Sequence, residues 1–87
     1  MPRSFSDLQA VMNAVSRAKG LDEGKKAGKV YCDEWRKEVD IEKMNLAMKK
    51  NTMPLDDYNK GVRELNKQIS EMNMSAKAFN QMLNKTR

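Results

Sequence analysis

The sequence predicts an all-α fold: a small domain of three to four helices built on an antiparallel helical hairpin. Three observations carry this. Between Pro54 and Met74, the residues Tyr58, Val62, Leu65, Ile69 and Met72 recur at steps of four, three, four and three. At 100° per residue they fall within about a 100° arc, one apolar stripe on a helix. The opposite side carries Lys60, Arg63, Glu64, Lys67 and Glu71. The chain has only 6% aromatic residues and two prolines, a composition suited to helices rather than to a sheet. And only Asn51–Pro54 separates this stripe from the preceding periodic segment, a connection short enough to make the two helices antiparallel neighbours.

Eighty-seven residues make one domain, spanning 1–87. A chain of this size buries about 60–65% of its unfolded surface, so its core is small and a deep pocket is not expected. Charged residues make up 33% but are mixed in sign, and the apolar residues are periodic, which argues against disorder.

The first helix is expected over 5–19, starting near Ser4 or Ser6. Ser6 with Gln9 has capping-box form, and Asp7 sits favourably against the helix dipole. Phe5, Leu8, Val11, Met12 and Val15 share a face, and Gly20 supplies a residue able to end the helix. The second helix is expected over 22–50. Gly20, Gly24 and Gly28 are spaced by four. Inside a helix they form a small-residue strip that a second backbone can approach closely; outside one they are a loose lead-in. Beyond them, Tyr31, Cys32, Trp35, Val39 and Leu46 make an inward face. Lys49 and Lys50 suit the helix C-terminus. The third helix is expected over 54–73, with Pro54 in its first turn and Asp56 and Asp57 where acids are favoured. A break at Asn73–Ser75 is expected, since Asn takes the left-handed conformation and Ser caps well. A fourth helix over 75–85 then places Phe79, Met82 and Leu83 on one face.

The residue inventory argues against an enzyme. Without His, the chain lacks the commonest acid–base group and the commonest metal ligand. One cysteine, Cys32, gives neither a zinc site nor a thiol–imidazole pair. The adjacent acids Asp22–Glu23, Asp33–Glu34 and Asp56–Asp57 point to different sides of a helix. The three glycines do not follow a strand, so they are no phosphate loop. No catalytic residue, cofactor or metal is expected. A single cysteine, no apolar segment of secretory form and no stretch of membrane-spanning length point to a cytoplasmic protein.

The net charge of +5 is uneven. Residues 1–57 hold eleven basic and ten acidic side chains; residues 58–87 hold six basic and two acidic. A basic C-terminal third suits an anionic partner such as DNA or RNA, and equally a solvated surface. Within it, residues 68–85, QISEMNMSAKAFNQMLNK, resemble a helix-turn-helix of the arabinose-regulator type of activator. The resemblance covers about a fifth of the chain. It implies that Met72 to Ser75 end one helix, turn and cap the next, with Met74, Phe79 and Met82 buried. It implies that Lys77, Asn80, Gln81 and Lys85 face DNA. The chain departs from the motif at Ile69, where a small residue is usual, and in the length of the preceding helix.

A second apolar stripe marks the other candidate site. Val30, Ile41, Met44 and Met48 lie opposite the inward face of the second helix, diluted by Glu34 and Lys37. Either the helix is buried on both sides, or the stripe is a protein-docking surface, a use to which adaptable Met side chains are suited. The favoured expectation is a small non-catalytic binding protein that regulates or inhibits a larger protein complex through this helical surface. Small accessory proteins of phages and mobile elements often have this make-up, an analogy of type only. The alternative is a helix-turn-helix DNA-binding regulator using residues 68–85. A coiled-coil homodimer is a further option, though the repeat in the third helix spans few turns there.

Overall fold

The computed structural model describes residues 3–85. Three helices account for nearly all of them: α1 (Phe5–Lys19), α2 (Leu21–Lys49) and α3 (Leu55–Lys85). Helix α1 begins at Ser4, not Ser6. Ser4 is extended (φ −143°), and its Oγ accepts the Asp7 N–H at 3.2 Å, satisfying one orphan donor of the first turn. Gly20 alone links α1 to α2. Its φ of +99° is a conformation that side chains disfavour. Its N–H donates to the Ser16 carbonyl and its carbonyl accepts from the Gly24 N–H, so one residue closes one helix and opens the next.

The short turn after α2 is held by the Lys49 carbonyl, which accepts from the Thr52 and Met53 N–H groups and the Thr52 hydroxyl. The chain then reverses, and α3 runs back along α2. The register is set by Leu46 against Gly61, Trp35 with Gln68, and Gly28 against Phe79. The antiparallel hairpin is thus present, in a three-helix rather than a four-helix fold.

The expected break at Asn73–Ser75 does not form, and this is the main correction. Helix α3 continues unbroken for 31 residues. The apolar phase explains it. Ile69, Met72, Ala76, Phe79 and Leu83 keep the three–four spacing across the supposed turn, so a straight helix packs them all against one neighbour. No non-glycine residue among those described has positive φ, so Asn73 is helical. Ser75 is not a cap. It is a buried mid-helix residue, 2% exposed, where the start of α1 passes over α3.

The core lies where all three helices meet: Leu8 and Met12 of α1, Tyr31, Trp35 and Val39 of α2, and Phe79 of α3. The glycine strip is helical and serves as the close-approach surface. A Cβ on Gly24 would meet the Ser16 hydroxyl and, at 2.9 Å, the Met12 carbonyl. One on Gly28 would lie 2.6 Å from the Phe79 ring. The Tyr31 and Trp35 rings pack edge to face, and the Trp35 indole N–H donates to Gln68 Oε1 at 2.7 Å, so this polar handle in the core is paired.

The molecule is elongated, 49 × 20 × 16 Å. Helices α2 and α3 are each about 45 Å long and α1 about 22 Å. Helix α1 therefore covers only the proximal half of the hairpin, and the distal half is a two-helix arm. No helix among the described residues is long and apolar enough to cross a membrane.

Candidate functional site

Helix α1 ends its coverage of α2 in a polar clasp. The Arg3 guanidinium donates to Glu38 at 3.0 Å and Glu34 at 3.2 Å while lying 4.7 Å over the Tyr31 ring. The hydrogen bond from Arg3 holds the Glu38 carboxyl below the usual carboxylate range. The Tyr31 hydroxyl accepts the Ser4 N–H, and burial pushes its phenol up. Beyond Glu38, α2 has only α3 beside it among the described residues.

In that distal stretch, residues 40–50, every α2 residue except Leu46 is exposed. Leu46 turns inward onto Gly61, and the Lys50 ammonium lies 5.9 Å over the Tyr58 ring. On the opposite side stand Ile41, Met44 and Met48, 57%, 65% and 78% exposed. They occupy an arc of about 60°. Val30 lies on the same side and is also exposed, but three turns nearer the core, with Glu34 and Lys37 between. The contiguous surface is therefore Ile41–Met44–Met48, with Val30 outside it. Burial of this stripe against another helix, the rival expectation, is not what the fold does.

The DNA-reading residues fare differently. Lys77, Asn80, Gln81 and Lys85 are all exposed on the last turns of α3. They spread over about 140° of the helix, and no turn precedes them. Phe79 is buried as the motif requires. Met74, which the motif buries, is 69% exposed, and Met82 is also exposed. The helix-turn-helix geometry is therefore absent.

Two features escaped the sequence. Between α2 and the first half of α3 lies an open groove of about 570 Å³, lined by Leu46, Gly61 and Leu65 and by Glu42 and Glu64. A second cleft, about 550 Å³, runs between Phe5 and the Met74–Ala78 turn of α3. The Ser75 hydroxyl beside it has no hydrogen-bond partner among the described residues. Neither is visible without knowing how far α1 reaches.

No group of three or more acidic or cysteine side chains among the described residues is placed to hold a metal ion. Burial and the neighbouring Asp33 push the Cys32 thiol up, away from the reactive thiolate. No family model, curated protein or solved structure matches the chain.

Proposed function

We propose that this chain is a non-catalytic binding protein that regulates or inhibits a larger protein complex by docking the distal face of α2. The observation that supports this reading is the Ile41–Met44–Met48 stripe. Its three side chains are spaced i, i+3 and i+7, the anchor pattern of a helix laid into an apolar groove. They stand on a part of α2 whose inward face is already satisfied by Leu46 and whose fold owes nothing to them. The partner this fits is a protein surface with a hydrophobic groove about two helical turns long.

The test is a tagged chain used to capture proteins from nuclease-treated source lysate, beside its Met44→Asp/Met48→Asp variant. The expected result is a defined partner held by the parent chain and lost with the variant, at unchanged helicity. A partner held equally by both overturns the reading. A nucleic-acid reading retains the exposed Lys77 and Lys85, now as phosphate contacts rather than parts of a recognition helix. It predicts duplex binding that falls steeply with salt and is lost on Lys77→Glu with Lys85→Glu. Equal, weak retention of both proteins on duplex at low salt removes it.

A further inference from the structure

We infer that the face of the α2–α3 hairpin turned away from α1 holds the sugar–phosphate backbone of duplex DNA, through Lys29, Arg36, Lys43 and Lys50 of α2. These four cations recur every seven residues, and all are exposed. They fall within about a 60° arc and run about 31 Å along the helix. None is in an ion pair among the described residues. The contacts of α2 fix which side they occupy. Helix α1 meets α2 at Gly24 and Tyr31 and reaches Glu34 and Glu38 through Arg3. Helix α3 meets it at Trp35 and Leu46. The cation row lies roughly 80° beyond that second line of contact, on the side away from α1. It therefore borders the flank of α3 that α1 leaves bare, where Asn59, Asn66, Asn73 and Asn80 stand exposed. Phe5 of α1 lies on the other flank, by Glu71, Ser75 and Ala78.

Charge is sorted between the two faces. The acids of α3, Asp56, Asp57, Glu64 and Glu71, share an arc of about 100° on the α1 side. The glutamates of α2 lie on its α1 side too. Asp22, Asp33 and Asp40 edge the cation row, and none of them is in an ion pair with it among the described residues. The partner of this arrangement is a regular polyanion. Lys and Arg neutralise phosphates, and the asparagine carboxamides beside them donate to phosphate oxygens. The row is close to the roughly 34 Å of one turn of duplex DNA. Single strands are held largely by bases stacked on aromatic rings. No aromatic ring among the described residues is exposed, and Tyr58 lies half-buried beneath Lys50. An anionic bilayer calls for apolar side chains bordering the cations. Here the Ile41–Met44–Met48 stripe stands about 120° round the helix from the row.

The test is binding of nuclease-treated protein to a mixed-sequence DNA duplex of about 20 base pairs, two helical turns, by fluorescence anisotropy across a salt series. The parent chain is expected to bind, with log affinity falling against log salt at a slope of about −3.6, the value for four phosphate contacts. Arg36→Gln with Lys43→Gln should weaken binding about tenfold or more and cut the slope to about half. Lys60→Gln with Lys67→Gln removes the same charge from the α1 side of α3 and should bind as the parent does. All four positions are exposed and Gln is a good helix former, so circular dichroism should show the parent helicity in both variants. Met44 and Met48 take no part, so this inference stands or falls apart from the protein-docking reading. A parent chain that does not bind the duplex at low salt overturns it. So does equal weakening by the two Gln variants, which makes the attraction one of net charge. Loss of binding on Lys77→Glu with Lys85→Glu, while the α2 variant binds normally, overturns it and moves the contact to the end of α3. Preference for single strands, duplex RNA or phosphatidylserine vesicles over the DNA duplex overturns it in favour of that ligand.

Discussion

Gly24 and Gly28 show how a single hydrogen atom sets the distance between two helices. Replacing either by Ala raises intrinsic helix propensity by roughly 1 kcal/mol. The new methyl group would nevertheless strike the Met12 carbonyl or the Phe79 ring. The clash wins, because backbone and a packed ring cannot yield cheaply. Each substitution should destabilise by about 1–3 kcal/mol in denaturant titration. Gly61→Ala is the control: its neighbour is the flexible Leu46 side chain, so the net change should be close to zero. The glycine spacing was legible as either a close-approach strip or a loose lead-in, since four-residue steps keep small residues on one face only if the segment is helical. Its target was not, since that depends on the one-residue link at Gly20. The Arg3 clasp was equally hidden, because 31 and 35 residues separate the partners. Arg3 lowers the folded-state pKa of Glu38, so the pair contributes stability at neutral pH that is lost as pH falls through the depressed value. Glu38 is half exposed, which limits the contribution to about 0.5 kcal/mol. Arg3→Ala should lower the melting temperature slightly at neutral pH and less where carboxylates are protonated and only the contact over the Tyr31 ring is lost.

At the scale of the element, α3 is where sequence reading and structure part. Pattern and composition revealed the helix and its apolar face. The break at Asn73–Ser75 rested on local chemistry, the turn preference of Asn and the capping preference of Ser. Continuous packing outweighs that preference, because Ile69, Met72, Ala76, Phe79 and Leu83 stay in phase across it. Met74→Pro separates the two structures. In a turn it would be tolerated; in the middle of α3 it removes a hydrogen bond and clashes, and should cost about 3 kcal/mol. The side chain is exposed, so lost packing does not confuse the result. The weight of the core also lies elsewhere than the hairpin stripe suggests. Leu65 and Ile69 are half-buried, whereas Leu8 and Trp35 are 0% and 1% exposed. Leu8→Ala or Trp35→Ala should cost about 3–5 kcal/mol, enough to unfold much of a small domain. Ile69→Ala should cost visibly less. The sequence could not rank them, because the short α1 decides which half of the hairpin becomes three layers deep.

The whole molecule is a compact three-helix base with a two-helix arm. Helix α1 is half as long as its neighbours, so the base holds the stability and the arm is left with more surface than it needs. The second stripe of α2 was legible as an anomaly, since Trp35, Val39 and Leu46 already complete the inward face. Its exposure was not, because burial against a further helix would have required the same residues. The central claim is that Ile41, Met44 and Met48 are the surface a protein partner covers. Methionine oxidation footprinting by mass spectrometry, on the free chain and on the captured complex, tests this most directly, because sulfoxide formation follows solvent access to each thioether. In the free chain Met44 and Met48 should oxidise readily and Met12, 7% exposed, slowly. In the complex Met44 and Met48 should become protected while Met74 stays reactive. Full reactivity of Met44 and Met48 in the complex, with protection at Met74 instead, would contradict the account and move the docking face to α3.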